Sequence, residues 1–253
     1  MLYLLTRLQD FSFSIAGTVV TFAVGGRRAL QRLFDRLVSR QISTWWYAAA
    51  LLPVLWYLIA IGMAELSSGD VLSSLTLTPT ALRTMLVSAE SGLLVTLFLR
   101  GPMGEELGLR GFALVHLQQR FTAFRAAFLL GIVWAIWHLP VLVGCNPVEA
   151  VIFLLLALNL SFLFAWLFNR SHGLLIPVLI MHATQNNEEL FEVIFPALVG
   201  TNRELPSTLL LLVTGIAAGV ALWRQGRQAV ADADSLVTRN DVVGVNCRDY
   251  TKL

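Results

Sequence analysis

Residues 101–117 read GPMGEELGLRGFALVHL, an apolar stretch that carries two adjacent acids, Glu105 and Glu106, and an arginine, Arg110, one helical turn further on. Charge at membrane depth is costly and is retained where it serves a partner or a reaction. What surrounds this stretch decides whether it lies in lipid. The chain of 253 residues is 57% hydrophobic and only 13% charged, with a mean hydropathy of +0.71. Those values lie well outside the range of a soluble domain and mark an integral membrane protein whose surroundings include the lipid bilayer. An all-α fold follows, a polytopic transmembrane helical bundle of about seven to eight membrane segments of roughly 20 residues each.

The charge-poor stretches give the segments: Phe11 to Gly26, Trp45 to Met63, Thr84 to Leu99, the quoted stretch, Ala126 to Cys145, Ala150 to Phe168, Gly173 to about Gly200 and Leu209 to Trp223. Phe11 to Gly26 reads as a first span rather than a cleaved leader, since no small-residue cleavage motif stands behind it. Trp45, Trp46 and Tyr47 form an aromatic belt at the start of the second. The organisation is a single membrane-embedded domain over residues 1–223, with a catalytic core at about 84–189, and a polar tail over 224–253.

Net charge is +2, and the cations are mostly arginines gathered in short loops, which excludes a nucleic-acid partner and sets topology instead. Arg27, Arg28, Arg32, Arg36 and Arg40 place the first loop in the cytoplasm. If the quoted stretch crossed the bilayer fully, Arg120, Arg125, Arg170, Arg224 and Arg227 would fall outside; if it stays near the inner half, all of them are cytoplasmic. The second arrangement obeys the positive-inside rule and places the glutamates near the cytoplasmic side of a cell membrane, expected to be bacterial. Cys145 and Cys247 are too far apart in sequence and setting to suggest a disulfide framework or a thiol metal site.

Glu106 and Arg110, four apart, can form an intrahelical ion pair, a structural solution as ordinary as a functional one. Glu105 lies roughly 100° round the helix and cannot share that arginine equally. One carboxylate is left over, and a carboxylate in an apolar setting is a stronger base than one in water, as general-base chemistry requires. Of four histidines, His138 in GIVWAIWHLPV and His182 in IPVLIMHATQNNEEL lie inside apolar runs. Either alone reads as a satisfied core residue; with an acid pair in a third segment, they can supply one another with partners. His116 and His172 read as interfacial. His182 and Asn186, four apart, share a helix face where two donors could converge on one oxygen, as in an oxyanion hole, and His138 could share a water with Glu105. Glu90 has no assignable role from sequence, and the surroundings of Ser88 and Ser91 lack the frame of a nucleophile elbow.

EELGLR, WAIWH and HATQN resemble, in order and spacing, the three motifs of the CPBP intramembrane protease family, also called the ABI family, which includes the type II CAAX prenyl endopeptidases. Trp134 stands where that family usually has Phe, four before the histidine. The resemblance covers roughly Thr84 to Glu189. It implies a peptidase in which Glu105 and His138 activate water, His182 and Asn186 bind the oxyanion, and Glu106 with Arg110 is a supporting pair. Its substrate would be a peptide or the C-terminal segment of a protein. No cofactor is required on this reading; a zinc ion remains possible, and Glu105, His138 and His182 would then be its ligands, although the H-E-x-x-H helix of zinc peptidases is absent. The alternatives are a catalytically inactive scaffold or immunity protein of the same fold, or a proton-coupled transporter, for which an internal repeat of the acid or histidine pattern would be expected and is not found.

Overall fold

The computed structural model describes residues 9–38, 42–69, 74, 75, 78–99, 101–187 and 204–226, all of them helix, turn or connection with no strand. Helix α1 is Ser12–Asp35, α2 Trp45–Ala50, α3 Leu52–Ser68 and α4 Pro79–Leu99. Helix α5, Pro102–Glu106, runs directly into a π-helical stretch, Leu107–Leu114, and a last α-turn, α6, Val115–Gln118. Then come α7, Ala123–Trp137, a 3-10 turn at Leu139–Leu142, α8, Pro147–Arg170, α9, Ile176–Gln185, and α10, Glu204–Gln225.

Local chemistry sets most of these limits. Thr122 caps α7, its hydroxyl accepting from the Arg125 N–H, and the Asn146 side chain caps α8 at 2.9 Å from the Val148 nitrogen, with Pro147 in the first turn. Pro140 stops α7 well short of Cys145, so the expected span Ala126 to Cys145 ends instead in the 3-10 turn. Pro53 likewise divides the expected Trp45 to Met63 segment into α2 and α3. The first helix continues beyond Gly26, but that glycine, at φ 60 and ψ −160, breaks its axis into two arms. The seventh expected segment is represented by α9 alone, since 188–203 lie outside the described residues, as do Cys247 and 227–253 of the proposed tail; α10 itself runs past Trp223 to Gln225.

Two helices, Pro147–Arg170 and Pro206–Gln225, are long and apolar enough to cross a bilayer, and Leu52–Ser67 and Ala123–Trp137 are shorter apolar helices. The outward faces carry large bare apolar side chains, among them Val24, Leu66, Val143 and Trp223 at 70–90% exposure. Water would not tolerate that surface; lipid does, and the chain is a helical membrane protein.

Four contacts gather the arginine-bearing helix ends into one place. The Leu175 N–H donates to the Arg36 carbonyl at 2.8 Å, and the Arg36 guanidinium lies 5.8 Å from the Phe168 ring. The Ala123 N–H donates to the Gly226 carbonyl, and Gln118 donates to Asn169. Arg32, Arg36, Arg120, Arg125, Arg170 and Arg224 therefore share one end of the bundle.

Helix α1 crosses α5 and the π stretch at backbone distance. A Cβ on Gly104 or Gly108 would run into the Asp10 or Phe13 carbonyl, and one on Gly17 would lie 3.1 Å from the Gly108 Cα. Ser14 stitches the crossing, donating to the Met103 carbonyl at 2.8 Å and accepting from the Gly108 N–H. This is the close approach that small residues four apart permit in lipid, where no hydrophobic force pulls helices together. Gly108→Leu is expected to destabilise the detergent-solubilised protein by about 1–3 kcal/mol or more, read as a lower thermal unfolding midpoint, whereas Gly62→Leu, at a position with nothing within 4 Å of a built Cβ, should leave it unchanged.

Candidate active site

Glu105 and Glu106 close the short helix α5, just before the backbone widens into its π-helical stretch, a device concentrated at functional sites. Both side chains are buried, at 5% and 0% exposure, and they point to different partners. Glu106 Oε1 accepts from Arg110 Nη1 at 2.8 Å and from His182 Nδ1 at 2.8 Å. Arg110 is itself fully buried, its guanidinium between two aromatic rings, 4.8 Å from Trp134 and 5.1 Å from Phe164. The ion pair expected from sequence is thus present, and it has recruited a histidine and two aromatic faces from three other helices.

Glu105 turns the other way. Its Oε2 accepts from the Trp134 indole Nε1 at 2.6 Å, and its Oε1 lies against Gly101, where a Cβ would come within 2.6 Å. Gly101 also holds φ at +87, so this residue meets two demands that a side chain would defeat. Trp134 reaches further: its carbonyl accepts from His138 Nδ1 at 2.8 Å, and its ring meets both His138 and His182 edge-on. One residue therefore fixes the carboxylate and one imidazole together.

A cavity of about 380 Å³ collects these groups. Glu105, Trp134, His138, His182, Gln185 and Asn186 form its polar side, and Phe153, Leu156, Ala157, Leu160 and Leu211 its apolar side. All four residues expected to carry chemistry, Glu105, His138, His182 and Asn186, face this one space. One detail differs from the expected geometry. His182 presents Nδ1 to Glu106, so only Nε2, on the other edge of the ring, is available to the cavity. Asn186 caps α9, its backbone N–H donating to the His182 carbonyl at 3.1 Å, and its side chain is exposed. The hydrogen bonds also fix tautomers: a carbonyl and a carboxylate can only accept, so Nδ1 carries hydrogen in both imidazoles.

Depth is the second difference. Helix α7 leaves the arginine end at Ala123 and reaches His138 after 15 residues, about 22 Å. Helix α8 puts Phe153, whose ring is 5.2 Å from His138, about 25 Å from Arg170. Trp134, which holds Glu105, stands 11 residues from Ala123, so the glutamates lie about 16 Å along the bundle from the arginine end rather than beside it. Only the C-terminal end of the quoted stretch, where it runs on into Gln118, reaches the basic end.

His116 bonds the Phe112 carbonyl one turn back and His172 sits exposed in a turn, both outside the cavity. The side chains of Ser88, Glu90 and Ser91 lie outside the described residues. Among the described residues no three His, Cys, Asp or Glu side chains are gathered as a metal-binding set. Sequence reasoning did not assign roles to Trp134, Gly101 or Gln185. The tryptophan in place of the usual Phe was the signal for the first, since only Trp brings an N–H to that position.

A match to a known protein family falls on this region. Residues 87–187 match the family model Type II CAAX prenyl endopeptidase Rce1-like. Over 100 residues, 35% of the chain, the sequence is 32% identical to a CAAX prenyl protease 2 of Methanococcus maripaludis, and the match spans 37% of that protein's length. Residues 87–187 hold the two glutamates, the arginine, both histidines and Asn186, and over them the chain is similar to the type II CAAX prenyl endopeptidases.

Removing one member of the buried pair should cost more than removing both. Arg110→Leu leaves the Glu106 carboxylate buried and is expected to destabilise by about 3–5 kcal/mol; adding Glu106→Gln should recover much of that in a double-mutant cycle of unfolding midpoints.

Proposed function

We propose that this protein is an intramembrane endopeptidase that hydrolyses a peptide bond with water activated by Glu105. The observation that carries the reading is the single cavity onto which one carboxylate not engaged by the buried arginine, two imidazoles and a carboxamide open, drawn from α5, α7 and α9. Glu105, held at one oxygen by Trp134, takes a proton from water; His138 Nε2 orients that water as acceptor; the resulting hydroxide forms a bond to the substrate carbonyl carbon. Charge passes to the carbonyl oxygen, where His182 Nε2–H and the Asn186 amide donate. The C–N bond then breaks as Glu105 returns its proton to the leaving amine. His182 can donate at Nε2 only as imidazolium, because Nδ1–H is directed to Glu106, and Glu106 is the counter-ion that makes this form tenable.

The apolar wall of Phe153, Leu156, Leu160 and Leu211 fits an extended peptide with apolar side chains, and the relative's name, a CAAX prenyl protease, favours the C-terminal segment of a protein as substrate. We read the whole as one membrane domain of seven to eight segments with its catalytic core at about 84–189, and we route no step through a metal: the conditional zinc set of Glu105, His138 and His182 has one carboxylate oxygen on Trp134 and one against Gly101.

In a cleavage assay of purified protein against a peptide library, Glu105→Gln should lose about 10²- to 10⁴-fold in kcat with its unfolding midpoint intact. An inactive scaffold would show no cleavage to lose, and inhibition by chelator would overturn the metal-free step alone. Trp134→Phe keeps the ring and deletes the N–H; the expected loss is about 10- to 100-fold in kcat, the worth of a hydrogen bond to a charged group, with the acidic limb of the pH profile displaced.

The positive-inside rule makes the arginine end cytoplasmic. The far end then carries an exposed thiol, Cys145, just after the 3-10 turn. In a Cys247→Ser background, a membrane-impermeant maleimide should label Cys145 in intact cells, and a Gln119→Cys, Cys145→Ser variant only after permeabilisation. The reverse pattern would put the arginine end outside.

A further inference from the structure

Helix α9 ends at Gln185, and the residue that follows, Asn186, is the one whose carboxamide is needed at the cavity. A helix end leaves its last four carbonyls without intrahelical partners, and such ends fray unless donors are supplied. Here all four are met. The His182 carbonyl accepts from the Asn186 N–H at 3.1 Å, and the Thr184 carbonyl from the Asn187 N–H at 3.2 Å. The Ala183 carbonyl accepts from Asn187 Nδ2 at 2.6 Å, and the Gln185 carbonyl from the Tyr57 hydroxyl at 2.9 Å. Asn187 is held in turn, its Oδ1 accepting from the Thr96 hydroxyl at 3.2 Å.

Tyr57 belongs to α3 and Thr96 to α4, and both are buried, at 5% and 2% exposure. The two residues that flank Asn186 are therefore tied to two further helices, neither of which lines the cavity among the described residues. Satisfying carbonyls explains the Tyr57 bond but not the Thr96 bond. Asn187 can serve the Ala183 carbonyl whether or not Thr96 is present; what the hydroxyl adds is a fixed orientation of that carboxamide.

We propose that Tyr57 and Thr96 are positioning residues for Asn186, holding the last turn of α9 so that the Asn186 amide meets the carbonyl oxygen of a bound peptide, a role that rests on the reading of Asn186 as an oxyanion donor. Such a donor acts only where it stands within hydrogen-bond reach of the place the oxyanion will occupy. His182 is registered through its own ring by Glu106, whereas Asn186 follows the helix end and takes its register from the backbone on either side of it. Groups outside the cavity can in this way set the geometry of one inside it.

Two measurements separate this role from the hydrolase reading beneath it. In hydrogen–deuterium exchange of the detergent-solubilised full chain, Tyr57→Phe and Thr96→Val should each raise exchange at the Asn186 and Asn187 amides by about 10-fold, and Thr96→Ser should restore protection. In the cleavage assay, Asn186→Ala should lose about 10²- to 10³-fold in kcat. Tyr57→Phe should lose about 10-fold in kcat with KM unchanged, and nothing further in the Asn186→Ala background, since a residue that acts through another has no effect once that one is gone. Thr21→Val, which deletes a hydroxyl bonded within α1, should change neither readout. Unchanged exchange in both Tyr57→Phe and Thr96→Val would overturn the proposal, as would an equal loss of kcat from Tyr57→Phe in the two backgrounds. Absence of cleavage by the unaltered chain would overturn the hydrolase reading and not the positioning of the turn, which the exchange decides.

Discussion

A guanidinium with no exposure to solvent organises the centre of this protein. Arg110 cannot lose its charge, so everything around it must compensate: the Glu106 carboxylate at 2.8 Å, and the faces of Trp134 and Phe164 on either side. These partners come from α5, α7 and α8, and His182 from α9 joins through the same carboxylate oxygen. A buried ion pair is a weak source of net stability, because desolvation offsets most of the Coulombic gain. It is a strong source of uniqueness, since any arrangement that separates these four helices strands a charge in an apolar interior. The ionic cluster therefore acts chiefly as a registration device, and the cavity is the space left beside it.

Two adjacent glutamates can play opposite parts because consecutive helical residues point about 100° apart. Glu106 faces inward, to Arg110 and His182. Glu105 faces the cavity, held by one indole N–H and by the absence of a side chain at Gly101. That division was legible in the sequence, since the spacing of four to Arg110 serves one acid and not the other. The long apolar helices α8 and α10 were equally legible, being unbroken apolar runs. The close crossing of α1 was not read, although Gly104 and Gly108 stand four apart. Small residues do not announce which partner they admit.

What sequence could not supply were bonds between residues remote along the chain. His182 and Glu106 are 76 positions apart, and nothing local to either indicates that Nδ1 points at the carboxylate. The expected spacing of His182 and Asn186 is kept in the backbone, where the Asn186 N–H donates to the His182 carbonyl at 3.1 Å. Trp134 was legible as a residue type and not as a bridge, because its two bonds run to different segments, one from the side chain and one from the backbone. The depth of the site lay beyond the sequence for a related reason. Loop arginines report which side a helix end lies on, and they say nothing of how far along the helix a buried acid stands; that follows from helix length.

Under the mechanism proposed above, the charges at the site also account for the second glutamate and the arginine beside Glu105, and the charge movements belong to that mechanism. The donor role proposed for His182 requires an imidazolium, and in that form Glu105 and Glu106 would be balanced by Arg110 and His182. When water yields its proton to Glu105 and the hydroxide adds to the carbonyl, the negative charge leaves the carboxylate and appears on the oxyanion, and the sum is again zero. In a low-dielectric interior a step that changes net charge is penalised heavily, whereas one that only moves a charge a short distance toward waiting donors is not. Were Arg110 and Glu106 both apolar, His182 would lose the counter-ion that lets it carry a proton on Nε2, and the developing oxyanion would face a lone pair instead of a donor. On this reading the buried pair has no contact with substrate, and its part in the reaction is to decide the protonation state of the histidine that does.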